Sequence, residues 1–153
     1  MNDLLFDPLR ILASLRAHGV RFVVVGGFAA TVHGSPSITD DVDICIAGDD
    51  ENLERLLEAL HDLGARQLDL GKGDLLSFET VAGRLDCTEW PPGTAGFIDL
   101  DVGAVEVHLG NGLHVRAASV EDLLRMKRAT ATPQDLWVVS QLAAMTEVSE
   151  GGV

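Results

Sequence analysis

The chain has 153 residues, of which 46% are hydrophobic and 23% charged, a composition typical of one globular domain and not of a disordered chain. Its apolar runs, such as 22–25 and 28–32, are far shorter than the ~20 residues of a membrane helix, and its acidic N-terminus is unlike a secretory signal. The net charge of −13 argues against binding of extended nucleic acid, which requires basic side chains to neutralise phosphates. We therefore expect a cytoplasmic protein without membrane contact.

The first half of the chain alternates helix and strand patterns. Asp7 and Pro8 are typical of a helix start and Gly19 of a helix end. A β-branched run then predicts a strand buried on both faces, which Gly26-Gly27 interrupts before a short helix. In chain order we predict a helix over 8–18, a strand over 21–25, a helix over 28–33, a strand over 41–46, and a helix over 51–63 with Leu53, Leu56, Leu57, Leu60 and Leu63 on one face.

The second half of the chain is richer in strands. We predict strands over 66–70, 75–81, 84–88, 105–109 and 113–117, and helices over 119–129 and 133–145. Gly110-Asn111-Gly112 is typical of a hairpin turn between the last two strands, because Asn and Gly tolerate positive φ. Together the elements predict an α+β fold with one mixed sheet and helices packed against it. No linker divides it, so we expect one domain over 1–146 and a loose tail over 147–153.

The two cysteines give no sign of a metal site or disulfide. Cys45 and Cys87 lie in predicted strands without CxxC spacing. Buried free thiols in a reducing compartment are the favoured interpretation.

The strand that begins at Asp41 carries the most informative motif. Side chains alternate along a strand, so Asp41 and Asp43 share one face while Val42 and Ile44 share the other. Two carboxylates about 7 Å apart on one face repel each other unless a cation lies beside them, and Mg²⁺ prefers oxygen ligands. The alternative is a polar face on an edge strand.

Gly26 and Gly27 lie between a buried strand and a short helix. Backbone N–H groups at a helix start favour phosphate oxygens, and glycine allows a ligand to approach the backbone closely. A tight turn is the alternative interpretation. A phosphate cradle opposite a metal-binding carboxylate pair would suit phosphoryl or nucleotidyl transfer.

The order of these motifs resembles the signature of the DNA polymerase β-like nucleotidyltransferases. The matching residues are Val25-Gly26-Gly27, Ala29, His33-Gly34-Ser35, Thr39 and Asp41-Val42-Asp43-Ile44, followed by the segments that begin at Ser119 and Pro133. The sequence is most similar to a small bacterial branch that includes the AbiEii/MenA-type toxins and minimal nucleotidyltransferases. The resemblance covers roughly 10–142 and implies the nucleotidyltransferase fold.

The resemblance also implies residue roles. Asp41, Asp43 and a third acid on a later strand would hold Mg²⁺ or Mn²⁺ and act in catalysis, and we choose Asp86 as the third, with Glu79 and Glu89 as fallbacks. The residues expected to bind the nucleoside triphosphate are Gly26, Gly27, Ser35, Thr39 and Lys127.

The implied activity is transfer of a nucleoside monophosphate from an NTP to an acceptor hydroxyl on a protein, a tRNA or a small molecule. A role in a toxin–antitoxin system would imply binding to an antitoxin or another protein partner. A homodimer is the other assembly that we expect. Two departures, Ser37 where relatives often have Arg and the extra acid Asp40, lead to an alternative: a catalytically inactive nucleotidyltransferase fold that binds or regulates a partner protein.

Several histidines and tryptophans have more than one interpretation. His33 could contact a nucleotide or anchor its loop through a hydrogen bond. His108 and His114 are favoured as exposed cross-strand neighbours, with a metal site that includes Glu106 as the alternative. Trp90 and Trp137 are expected in the core or an interface, since no basic residues are interleaved with them.

Overall fold

The computed structural model describes residues 6–36, 38–70, 73–130, 133, 137 and 139–144. The helices are α1 (Pro8–Ala17), α2 (Gly26–Val32), α3 (Asp50–Asp62), α4 (Phe97–Gly103) and α5 (Val120–Thr130), and residues 139–144 are also helical. The strands are β1 (Phe22–Val25), β2 (Asp41–Ile46), β3 (Arg66–Leu68), β4 (Leu76–Thr80), β5 (Gly83–Thr88), β6 (Val105–His108) and β7 (His114–Ala117).

The strands form one seven-stranded mixed sheet in the order β3-β4-β5-β2-β1-β7-β6. β2 lies in the middle, parallel to β5 and antiparallel to β1. β1 is parallel to β7, while β3 with β4, β4 with β5, and β6 with β7 are antiparallel pairs. This arrangement confirms the predicted α+β class with a mixed sheet, and it puts the strand that carries Asp41 and Asp43 at the centre.

The core sits around the central strands. All four residues of β1 are buried, as predicted for a strand covered on both faces. α1 packs against α3 and against β2 and β5, while α2 packs against β1, β2 and α5. Asp7 and Asp49 cap α1 and α3 by accepting hydrogen bonds from Arg10 N and Asn52 N, so side-chain oxygens satisfy free N–H groups at both helix starts.

The apolar face of α3 differs from the prediction at one position. Leu57 is 64% exposed, whereas Asn52 is 1% exposed. Asn52 is buried because its side chain joins two segments of backbone: its Nδ2 donates to the carbonyls of Arg21 and Ala47. Its Oδ1 accepts from Arg21 N. A fully bonded amide is tolerated in the interior, which the helical periodicity of leucines does not reveal.

Other boundaries also differ from the predictions. α2 begins at Gly26 instead of residue 28, although Gly26 itself has a φ of +69°, outside the right-handed helical region. α4 had no counterpart in the predictions: it has only seven residues, and Ile98 and Val102 on it are 79% and 85% exposed, so it lacks an amphipathic pattern. The predicted tail over 147–153 lies outside the described residues, as does most of the start of the helix predicted over 133–145.

Both cysteines are buried free thiols, as predicted. Within the described part of the chain, no helix has the length and apolar character needed to cross a membrane.

Candidate active site

Three carboxylates meet on one face of the central sheet. Asp41 and Asp43 project from β2 on the side opposite Val42 and Ile44, which are fully buried. Asp43 is the direct neighbour of Asp86 across the parallel β2–β5 pair, so both side chains lie on the same face. One oxygen from each of Asp41, Asp43 and Asp86 lies within 4.8 Å of the others. We call these three residues the carboxylate cluster.

Burial and mutual repulsion make the cluster electrostatically unfavourable when all its members are ionised. Burial, followed by the charges of Asp41 and Asp86, raises the pKa of Asp43 to about 7. Burial is also the largest cause that raises the pKa of Asp41, and the neighbouring charges of Asp86 and Asp40 act in the same direction. A divalent cation among these oxygens would relieve the repulsion, so the donor set fits Mg²⁺ or Mn²⁺.

Thr39 and Arg84 hold two members of the cluster in place. The Thr39 hydroxyl lies 3.1 Å from both the carbonyl oxygen and Oδ1 of Asp41, which fixes that carboxylate at the start of β2. Arg84 Nε donates to Oδ1 of Asp86 at 3.1 Å. Because Asp86 is only 5% exposed, this charged hydrogen bond compensates for part of the cost of its burial.

Arg84 is a site residue that the sequence analysis missed. It lies two residues before Asp86 on β5, and therefore on the same face, and it pairs in register with Asp41. The alternation that identified Asp41 and Asp43 would have placed Arg84 beside the acids once β5 was taken as their neighbour.

Gly26 is required at the cluster for a steric reason. Its φ is +69°, and a Cβ at this position would lie 2.2 Å from Oδ2 of Asp43. Glycine at this position was expected to allow a ligand to approach the backbone, but in the structure the space that a Cβ would fill is taken by the carboxylate of Asp43. The start of α2 therefore abuts the carboxylate cluster.

Three of the other residues predicted to bind nucleotide, Gly27, Thr39 and Lys127, lie close to the carboxylate cluster. A Cβ on Gly27 would lie 3.4 Å from the Thr39 hydroxyl, so Gly27 and Thr39 are neighbours. Ser35 is 6% exposed, and its backbone N–H donates to the carbonyl of Ala30 at the end of α2. Lys127 on α5 is close enough for its charge to lower the pKa of Asp43.

The fallback acids do not join the cluster among the described residues. Glu79 is exposed on β4, two strands from β2. A Cβ on Gly48 would lie 2.6 Å from the carboxyl carbon of Glu89, which puts Glu89 beyond the other end of β2. Asp40 is exposed beside Asp41, and Ser37 lies outside the described residues.

The structure also gives the positions of His33, Trp90 and Trp137, for which the sequence allowed more than one interpretation. His33 Nε2 donates to the carbonyl of Ala118 at 2.8 Å, so it anchors the end of α2 to the segment after β7. Trp90 is 60% exposed and lines an open cavity of about 290 Å³ with Glu89 and Phe97, beyond the carboxyl end of β2. Trp137 is 49% exposed. Neither tryptophan is therefore a core residue, and an interface position for each stays a prediction.

Comparisons with solved structures identify the fold. The solution structure of the antibiotic-resistance factor ANT(2'')-Ia matches 91% of this chain and 84% of its own, with a TM-score of 0.64 and 21% identity. The crystal structure of ANT(2'')-Ia in complex with adenylyl-2''-tobramycin matches 92% of this chain and 88% of its own, with a TM-score of 0.65 and 19% identity. The lincomycin-bound lincosamide adenylyltransferase LnuA matches 88% of this chain and 93% of its own, with a TM-score of 0.64 and 17% identity.

The chain therefore has the nucleotidyltransferase fold, as predicted. By sequence, no protein-family model and no curated protein matches it.

Proposed function

We propose that the protein is a metal-dependent nucleotidyltransferase that moves a nucleoside monophosphate from an NTP to an acceptor hydroxyl. The observation that carries this proposal is the carboxylate cluster, in which oxygens of Asp41, Asp43 and Asp86 lie within 4.8 Å of one another on a nucleotidyltransferase fold. These three acids are partly or fully buried, and among the described residues Arg84 on Asp86 and the charge of Lys127 near Asp43 offset part of their repulsion, so a bound cation would offset more of it.

Asp41, Asp43 and Asp86 would hold Mg²⁺ or Mn²⁺. When bound, the ion would neutralise the triphosphate and make its α-phosphorus more susceptible to attack. Thr39 keeps Asp41 oriented, and Arg84 keeps Asp86 oriented, so the ligands are arranged before the nucleotide arrives.

The transfer itself is an in-line displacement. The acceptor oxygen forms a bond to the α-phosphorus while the bond to the β,γ-pyrophosphate breaks, and pyrophosphate leaves with the electron pair. Asp86 would take the proton of the acceptor hydroxyl. The start of α2 at Gly26 and Gly27, with Ser35, Thr39 and Lys127, would contact the phosphates, since Lys127 already lies within electrostatic range of Asp43.

For the acceptor, the proposal names a chemical class and not one compound. ANT(2'')-Ia in complex with adenylyl-2''-tobramycin and lincomycin-bound LnuA are similar to this chain, so hydroxylated small molecules, with ATP as the donor, are the first acceptors to test. The net charge of −13 favours a small molecule or protein over an extended nucleic acid. The AbiEii/MenA-type branch, an antitoxin partner and a homodimer stay predictions.

The test separates nucleotide binding from transfer. Tag-free protein is titrated with each Mg·NTP by calorimetry and is then incubated with α-labelled NTP and acceptors that include tobramycin, lincomycin, tRNA and protein. We expect binding and transfer by the wild type and by Asp69→Asn, which removes an exposed carboxylate outside the cluster. Asp43→Asn should lose both, and equal Mg·NTP binding by Asp43→Asn and wild type would contradict the proposal.

One observation favours the inactive partner protein as a second candidate. The charge of Asp40 lies close enough to raise the pKa of Asp41, so it adds negative charge where a triphosphate would bind. Under this alternative the wild type neither binds Mg·NTP nor transfers a nucleotide. Restoration of Mg·NTP binding by Asp40→Asn would identify Asp40 as the cause.

A further inference from the structure

A second group of metal ligands lies on the β6–β7 hairpin, away from the carboxylate cluster. Among the described residues, Glu106, His108 and His114 form the other set whose potential ligand atoms all lie within 4.8 Å of one another. We call these residues the hairpin triad. In the sheet order, β1 lies between β7 and β2, so His114 on β7 is two strand spacings, about 10 Å, from the strand of Asp41 and Asp43, and Glu106 and His108 on β6 are three spacings, about 14 Å, from it.

The register of the hairpin brings the three side chains to one face. His108 and His114 are direct partners across the antiparallel pair, and Glu106 precedes His108 by two residues on the same strand. Glu106 Oε1 lies 3.0 Å from His114 Nδ1 and 3.7 Å from His108 Nε2. The centroids of the two imidazole rings are 4.0 Å apart.

These separations suit a tetrahedral ion. Zinc binds imidazole nitrogen and carboxylate oxygen at about 2.0–2.2 Å, which sets neighbouring ligand atoms about 3.3 Å apart in a tetrahedron. The two measured distances from Glu106 lie on either side of that value. Small rotations of exposed side chains are therefore enough to bring the donors into position.

The backbone that carries the triad is fixed by its turn and by the core. Gly110, Asn111 and Gly112 all have positive φ, and the Leu109 N–H donates to the carbonyl of Leu113 at 2.9 Å. On the opposite face of β7, Val115 is 2% exposed. A fixed scaffold reduces the entropy lost when the ligands are held around an ion.

The nearest basic side chain on this face has another partner. Arg116 is opposite Glu106 in the register, but its Nε donates to Oδ1 of Asp101 at 2.7 Å and its Nη2 donates to the Asp101 carbonyl. The guanidinium is thus directed to Asp101, and the side chains of Glu106, His108 and His114 are 54%, 68% and 39% exposed. An ion can reach the triad from solvent and would keep a coordination position open to water.

We propose that Glu106, His108 and His114 form a binding site for a borderline transition-metal ion of the Zn²⁺ class. Two imidazoles and one carboxylate are the donors that Zn²⁺, Co²⁺ and Ni²⁺ prefer, whereas Mg²⁺ prefers the all-oxygen carboxylate cluster. The bound ion joins β6 to β7 and stabilises the hairpin at the edge of the sheet. This site is distinct from the proposed transferase site and does not depend on it.

The test uses Co²⁺ and Zn²⁺ on tag-free, full-length protein in excess Mg²⁺, which is added to compete with Co²⁺ at the carboxylate cluster. We expect one equivalent of Co²⁺ to bind with visible absorption bands, and Zn²⁺ to displace it. His114→Gln and His108→Gln should weaken binding at least about 10-fold, since loss of a ligand should cost no less than loss of a residue that only orients one, and Glu106→Gln should also weaken it.

His61→Gln is the matched control, because His61 is an exposed histidine on α3 outside the triad. It should leave Co²⁺ binding unchanged. Thermal melting without metal checks that each variant is folded. The proposal is overturned if His114→Gln binds Co²⁺ as tightly as the wild type, if the wild type does not bind it, or if Asp43→Asn abolishes the binding.

Discussion

The carboxylate cluster and the hairpin triad each bring three potential ligands within 4.8 Å, but their electrostatics are opposite. In the cluster, burial and neighbouring acids raise the pKa of Asp43 to about 7. In the triad, the hydrogen bond from His114 is the largest cause that lowers the pKa of Glu106, which is exposed. In the cluster, Arg84 and Lys127 offset only part of the negative charge, whereas in the triad one carboxylate lies between two histidines.

This difference indicates what each site requires of a cation. A cation at the carboxylate cluster removes a repulsion that folding has created, so its binding should also stabilise the fold. An ion at the hairpin triad must displace the hydrogen bond between Glu106 and His114, so its binding depends on metal–ligand bonds and not on relief of repulsion. Oxygen-only and imidazole-containing donor sets then select different metals.

The largest effect is expected from Asp43→Asn in the transfer assay. It keeps the shape of the side chain and removes one metal ligand and its charge. We expect the rate of transfer to fall at least about 10³-fold, as for loss of an element that stabilises transition-state charge. Co²⁺ binding at the hairpin triad should be unchanged in the same preparation. Loss of both transfer and Co²⁺ binding would show that the two sites are not independent.

Gly26→Ala compared with Gly110→Ala tests the crowding at the cluster. Both glycines have positive φ, at +69° and +97°, but a Cβ on Gly26 would lie 2.2 Å from Asp43 Oδ2, whereas one on Gly110 would meet no atom within 4 Å. We expect Gly110→Ala to lower the free energy of unfolding by about 1 kcal/mol. Gly26→Ala should lower it by about 3 kcal/mol or more in urea denaturation, since steric overlap adds to the backbone cost. Equal losses would mean that Asp43 does not crowd Gly26.

Arg84→Gln tests the positioning of Asp86. Loss of the hydrogen bond at 3.1 Å should decrease transfer about 10–100-fold and raise the Mg²⁺ concentration needed for half-maximal rate. Arg84→Lys should recover part of the loss because it keeps the charge. Arg66→Gln on the edge strand β3 is the control for removal of an exposed arginine. An unchanged Mg²⁺ dependence in Arg84→Gln would leave Arg84 with a purely structural role.

The smallest effect is expected in the pH dependence of stability without metal. The folded pKa of Asp43, about 7, is above its ordinary value of 3.8, so between these pH values the folded state holds more protons than the unfolded state. The free energy of unfolding should therefore fall by about 1 kcal/mol per pH unit as pH rises from 5 to 7 in EDTA. Asp43→Asn should flatten this slope, and Mg²⁺ should restore the stability at pH 8. A slope that is the same in wild type and variant would show that another group causes it.

Local patterns in the sequence predicted the parts of the site that depend on neighbours along the chain. The pairing of Asp41 with Asp43 on one face follows from the two-residue period of a strand, and the turn at Asn111 follows from its tolerance of positive φ. The helix start at Asp7, whose side chain caps α1, is equally local. These predictions do not depend on how the strands and helices pack together.

Only the tertiary structure decided which strands are neighbours, and with them the composition of the site. Asp86 meets Asp43, and Arg84 meets Asp86, because β5 lies parallel to β2, a pairing between segments about forty residues apart along the chain. The same packing exposes Leu57, buries Asn52 and leaves no room for a Cβ at Gly26. Periodicity fixes which side chains share a face of one strand or helix, but the free energy of burying that face depends on partners that no local pattern identifies.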